Sequence, residues 1–94
     1  MNRMEFESQV RAQGYLEILD RSMPANHTNP EHSHDFDARL FVLEGEMSIT
    51  RDDRERTYRA GDSFEVSAGS RHAERSGPEG VRYLAGRRYP KTAG

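Results

Sequence analysis

The stretch Pro30-Glu31-His32-Ser33-His34-Asp35-Phe36-Asp37 contains two histidines separated by one residue. In an extended strand alternate side chains point to the same side, so His32 and His34 share a face. Their Cα atoms then lie roughly 7 Å apart, and two neutral imidazoles at that spacing can bind one ion. The alternative is a polar loop that follows a proline. The pair alone leaves both interpretations open.

A third histidine, His72, comes much later in the chain, in a second segment that we interpret as extended. Glu74 follows it by two residues and therefore shares its strand face. If both segments belong to one small barrel, His32, His34 and His72 can converge on a single divalent metal. The sequence thus predicts a metal site that is built from two distant parts of the chain.

Composition limits the class of protein. The chain has 94 residues, enough for one domain, and no cysteine, which excludes disulfides and thiolate metal sites. Its net charge is −2, and acidic and basic residues are interspersed. This balance offers no basic surface for nucleic acid and no polybasic membrane patch. No apolar run resembles a signal peptide or a membrane span, so we expect a cytoplasmic protein without nucleic-acid or membrane partners.

The apolar pattern predicts one short helix followed by a sheet. Residues 4–13 fit a helix that ends at Gly14, and the remaining pattern alternates with a period of two. We expect seven or eight short strands, which is typical of a sandwich or barrel. The predicted strands include 15–21, 39–43, 56–60 and 81–87, with a loop at 24–30 and turns at 44–46, 52–54, 61–62 and 77–80. The corresponding division is a helical or lid segment at 1–14, a barrel at 15–88 and a loose tail at 89–94.

The motifs resemble those of the cupin family. Its first motif places H-x-H three residues before a glutamate, with a glycine six residues further on; here it reads His32, His34, Ala38 and Gly45. Its second motif reads Gly, five residues, P-x-G, two residues, His, three residues, Asn. Here that motif corresponds, in order, to Gly61, Ser67, Gly69, His72 and Ser76. The resemblance covers about residues 25–86 and implies an all-β, jelly-roll β-barrel, which in many members forms a homodimer.

The resemblance also implies metal ligands, with one departure that bears on chemistry. Ala38 replaces the glutamate ligand and cannot bind an ion. The site is then lost, or uses three histidines, or takes a carboxylate from elsewhere. Glu74 is our first candidate for that carboxylate, ahead of Asp37 and His27. The alternative for Glu74 is a surface ion pair with a neighbouring arginine, and the alternative for Asp37 is to accept a hydrogen bond from a histidine N–H.

The expected cofactor is one divalent transition metal (Fe, Mn, Zn or Ni), bound by His32, His34, His72 and Glu74. Core residues around it form a pocket that can take a small-molecule ligand. Arg87 and other late arginines are expected at the surface, and one that points inward would suit a carboxylate-bearing ligand.

Three functions fit these features. The first is a metal-dependent module that binds or senses a small molecule. The second is a metal-dependent dioxygenase or isomerase acting on a small organic substrate, since open coordination positions are what oxygen or substrate needs. The third, a metal-free sugar-binding or epimerase-like barrel, is disfavoured by the histidines. Fold alone does not choose among them.

Overall fold

A computed structural model describes residues 1–90 of the chain, and within them one helix precedes six strands. The predicted all-β class with a short N-terminal helix is confirmed, but fewer strands form than the seven or eight predicted. That one helix is too short and too polar to cross a membrane. Residues 91–94 of the predicted tail lie outside the described residues. The elements are α1 (Arg3–Ala12), β1 (Glu17–Met23), β2 (Thr28–His32), β3 (Asp37–Arg51), β4 (Arg54–Arg59), β5 (Ser63–Val66) and β6 (His72–Arg88).

The six strands form two facing layers, because β3 and β6 run through both. In the first layer, β1 and the first half of β3 flank the second half of β6, and β5 pairs with β3. In the second layer, β2 and the second half of β3 flank the first half of β6, and β4 pairs with β3. All these pairings are antiparallel. One apolar cluster fills the space between the layers, with residues from both.

The two longest strands correct the sequence prediction. The sequence predicts turns at 44–46 and 77–80, but both stretches lie inside continuous strands. The register between β3 and β6 instead shifts between Val42 and Glu44 and again between Gly45 and Met47. Gly45 has a φ of 75° and Gly80 a φ of 78°, so glycine here bends the strands rather than ending them. These irregularities lie where the pair passes from one layer to the other.

Strand β2 also differs from expectation. The two prolines of segment 24–30 predict a loop, yet the strand begins at Thr28 and contains Pro30. Among the described strands β2 pairs only with β6, so it lies at a sheet edge. Proline is tolerated there because an edge strand leaves some backbone N–H groups without a ladder partner.

Helix α1 begins with a capping box in which the Asn2 side chain accepts a hydrogen bond from the Glu5 N–H. It covers the outer face of the first layer, and not a barrel end: Phe6 stacks on Phe41 with 5.2 Å between ring centroids. Val10, Tyr15 and Leu84 complete this second cluster. The early part of β3 is therefore apolar on both faces, since one face meets the core and the other meets the helix.

Candidate metal centre

The pairing of β2 with β6 brings the histidines together. His32 ends β2 and His72 begins β6, and the two are Cα partners across the ladder. His34 follows in the connection to β3, and its carbonyl accepts a hydrogen bond of 2.8 Å from the Gly69 N–H. That bond joins the loop before His72 to the segment that carries His34.

The predicted convergence of the three histidines is confirmed. One ring nitrogen from each of His32, His34 and His72 lies within 4.8 Å of the other two. The ring centroids are 4.7 Å apart for His32 and His34, 4.4 Å for His32 and His72, and 5.4 Å for His34 and His72. His72 is 2% exposed, and the other two are half-buried.

Backbone carbonyls set the tautomer of two histidines. His32 Nδ1 lies 2.8 Å from the Pro30 oxygen, and His72 Nδ1 lies 3.0 Å from the Ser70 oxygen. A carbonyl oxygen only accepts, so each Nδ1 carries the proton and donates it. The Nε2 of each neutral ring then has a free lone pair, which is the state that binds a metal. Sequence reasoning missed both carbonyls, although each lies two residues before its histidine.

His34 has a different environment. Its ring stacks on Phe36 at 4.7 Å between centroids, with the planes 17° apart. Burial lowers the pKa of His34, and the nearby rings of His32 and His72 lower it further. The neutral imidazole is therefore favoured here as well, which suits a ligand.

Glu74 lies beside the histidines and is no surface carboxylate. Its side chain is 12% exposed, and Oε1 lies 3.7 Å from His32 Nε2. Asn29 Nδ2 donates a hydrogen bond of 3.1 Å to the same oxygen. The Asn29 Oδ1 in turn accepts from His27 Nε2 at 3.1 Å. Sequence reasoning missed Asn29, because its role depends on the register that pairs it with Glu74.

The other fourth-ligand candidates have different partners. His27 is exposed and bonds to Asn29. Asp37 accepts from the Ala68 N–H at 2.9 Å and from Arg88 at 3.0 Å. The alternative role for Asp37 was to accept a hydrogen bond from a histidine N–H. For His32 and His72, backbone carbonyls accept that bond instead. Within residues 1–90, the group close enough to share one ion contains the three histidines and no carboxylate.

A cavity of about 190 Å³ opens over the histidines. Its apolar wall includes Phe36 and Leu40, and Ala38 lies in it without filling the place of the family's glutamate. Contrary to expectation, Arg87 lines this cavity, as does Arg21. The complete lining comprises Arg21, Asn29, His32, His34, Phe36, Ala38, Leu40, Val66, His72, Glu74, Tyr83, Ala85 and Arg87.

The donor set suits a divalent transition metal. Ligand nitrogens about 2.1 Å from one ion lie roughly 3–3.5 Å apart, so histidine nitrogens that lie up to 4.8 Å apart would have to approach one another on binding it. His32 and His72 have the Nδ1–H bonds that are usual for metal-bound imidazoles. Among residues 1–90 no fully buried side-chain nitrogen or oxygen lacks a hydrogen-bond partner.

Comparison with known proteins places the chain in a family. The family model of the cupin domain matches residues 20–85. The fold is similar to that of a protein of unknown function from Rhizobium leguminosarum bv. viciae, with 23% identity, a TM-score of 0.72, and coverage of 79% of this chain and 69% of that one. It is also similar to a cupin-2 domain protein from Shewanella frigidimarina, with 22% identity, a TM-score of 0.63, and coverage of 76% and 69%.

A third similar structure is the polyketide cyclase RemF from Streptomyces resistomycificus, with 25% identity and a TM-score of 0.67. The match covers 74% of this chain and 51% of RemF, so the chain corresponds to about half of that protein. A comparison with curated protein sequences gives no significant match. Because the family model covers well over half of the residues, including the three clustered histidines, the chain belongs to the cupin family.

Proposed function

We propose that the protein binds one divalent transition metal through His32, His34 and His72, with Glu74 as the fourth protein ligand, and thereby binds or senses a small organic molecule. The observation that carries the proposal is the fixed tautomer of His32 and His72, since both carbonyl bonds leave Nε2 free. Histidines packed in a barrel for structural reasons alone do not need one ring nitrogen of each within 4.8 Å of the others.

Each residue has a separate task. The three imidazoles are neutral ligands, and Glu74 supplies the one negative charge beside them. Asn29 orients Glu74 by donating to Oε1, which keeps the carboxylate directed at the histidines. A divalent ion held there would supply a Lewis acid for an oxygen of the ligand. The small side chain of Ala38 leaves space in the cavity beside the histidines, so a small molecule can approach.

Metal content tests the proposal. We expect about one equivalent of metal per chain in protein purified without a histidine tag, measured by plasma mass spectrometry. His34→Ala should lose the metal, and its melting temperature should no longer rise when metal is added. Ser33→Ala is the matched control, because Ser33 is exposed and lies between two of the histidines without belonging to the cluster. Equal metal content in His34→Ala and the wild type contradicts the ligand assignment.

A metal-dependent dioxygenase or isomerase is the second candidate. It is favoured by Ala38 in the cavity wall, because alanine cannot bind the metal. A metal held there would keep room for a substrate. One protein of similar fold, RemF, is named as a polyketide cyclase and hence as an enzyme. Oxygen uptake by the Fe(II)-loaded protein with catechols, thiols and β-diketones tests the oxygenase. Absence of turnover with a fully loaded site supports the binding module.

A cytoplasmic location also stays a prediction, as does the absence of nucleic-acid and membrane partners. Cell fractionation with an antibody against the chain tests the location.

A further inference from the structure

We propose that the molecule bound in this cavity is a small organic carboxylate, whose carboxylate group binds Arg21 and Arg87 while the rest of it faces the histidines. The inference deepens the proposed function and rests on it only for the additional positive charge of the metal.

The first support is the position of the two arginines. On β6, Tyr83, Ala85 and Arg87 alternate along one face and all line the cavity. Arg21 on β1 is the Cα partner of Tyr83, so it reaches the same face from the neighbouring strand. The two arginines thus lie four residues apart in register on one face of the first layer, and both line the cavity that contains the histidines.

The second support is that neither guanidinium has a close carboxylate partner. Arg87 lies 4.0 Å from a Glu17 oxygen, the limit of an ion pair, and its guanidinium carbon lies 4.5 Å above the Phe36 ring. Arg21 makes no ion pair within residues 1–90. By contrast, Arg82 on the same strand as Arg87 binds Asp20 through two nitrogens at 2.7 and 3.1 Å. Arg21 and Arg87 therefore retain donors for a ligand.

The third support is the charge of the cavity. Glu74 is the only carboxylate among its lining residues, and it is already bonded to Asn29. Ala38 contributes no charge where the family motif has a glutamate. Two guanidinium groups therefore outnumber one carboxylate even before a metal adds its charge. A site with this excess of positive charge favours an anion.

The remaining lining describes the rest of the ligand. Phe36, Leu40 and Val66 form an apolar wall, and the volume of about 190 Å³ admits only a small molecule. Tyr83 also lines the cavity, and its phenol hydroxyl can donate a hydrogen bond to a ligand. A short hydroxy acid or an aromatic acid matches this combination of donors and apolar surface.

Binding of matched acid and amide pairs tests the inference. The probes are lactate against lactamide and benzoate against benzamide, titrated into zinc-loaded protein by calorimetry. We expect at least one acid to bind at least tenfold more tightly than its amide, because only the acid accepts charge-assisted hydrogen bonds from both arginines. The inference is overturned if neither acid binds, or if each amide binds as tightly as its acid.

Variants locate the effect. Arg21→Gln and Arg87→Gln should each weaken acid binding about tenfold and leave the metal content unchanged. Arg82→Gln is the matched control, since Arg82 is paired with Asp20 and does not line the cavity. Equal weakening in all three variants contradicts the inference.

The metal-free His34→Ala protein separates the two proposals. Acid binding that persists there and still depends on the arginines supports the carboxylate site, whatever the fate of the metal assignment. If metal-loaded wild-type protein binds neither acid, the carboxylate site is contradicted and the metal site is not.

Discussion

Asp37 connects the start of β3 to the loop before His72 and to the end of β6. Its carboxylate accepts one bond from the Ala68 N–H, in the loop before His72, and one from Arg88 at the end of β6. The bond from Ala68 lowers the pKa of Asp37, and the bond from Arg88 lowers it further. The charged form is therefore more stable in the folded protein than in the unfolded chain.

This shift predicts a defined acid sensitivity. The unfolded pKa of an aspartate is about 3.9, so the stabilisation by Asp37 is complete above that value and is lost as the pH falls through the lower folded pKa. Asp37→Asn should reduce the free energy of unfolding of the metal-free protein by about 1–2 kcal/mol at pH 7 and flatten its decline on the acid side. Urea denaturation at pH values from 7 to 3 measures both.

Asp35→Asn is the control, because Asp35 is exposed and has no bonded partner within residues 1–90. Stability curves of Asp37→Asn and the wild type that stay parallel down to pH 3 would mean that the two bonds contribute no pH-dependent stability.

The residues of the candidate metal site were predictable where their spacing in the sequence matches a known motif. His32, His34 and His72 match motif positions, and the structure brings them together. Asn29, Arg21 and the Pro30 carbonyl were not predictable in the same way. Their roles follow from strand register and from an edge strand inside a predicted loop, neither of which the local sequence specifies.

Among the elements, β3 and β6 determine the shape of the molecule, and Gly45 is the point where β3 bends. A Cβ at Gly45 would overlap the Gly80 carbonyl oxygen of the paired strand, and its φ of 75° disfavours any other residue. Gly61 has a φ of 92°, but no atom lies within 4 Å of the place that a Cβ would take there. Substitutions at these two glycines therefore separate the cost of backbone strain from the cost of steric overlap.

We predict that Gly61→Ala costs about 1 kcal/mol of stability, whereas Gly45→Ala costs about 3 kcal/mol or more. Urea denaturation provides the comparison, and the yield of soluble protein replaces it if Gly45→Ala does not fold. Equal costs at both positions would show that the close approach of β3 to β6 relaxes without penalty.

The same glycines explain why strands were harder to predict than the fold class. The stretches around Gly45 and from Gly77 to Gly80 lie inside strands, but their glycine and proline residues also match the signals of turns. A bulge and a turn use the same residue types and differ in which partner strand lies opposite. The barrel was predictable from the number of alternating segments, and the continuity of β3 and β6 was not.

At the scale of the whole molecule, we predict a homodimer. The chain is small, with a mass of 10.8 kDa, and β1 leaves one edge without a partner among the described strands. Leu16, 74% exposed just before β1, adds apolar surface beside that edge. Light scattering after size exclusion should give about twice the monomer mass. A mass near 10.8 kDa at micromolar concentration contradicts the prediction.

The pairing of β6 with β1, β2 and β3 also has a consequence for biosynthesis. Among the described strands, β1 and β2 pair only with β6, and β3 pairs with it over most of its length. While the ribosome is still translating β6, the nascent polypeptide cannot close either layer. β1 and β2 therefore stay unpaired until that strand emerges.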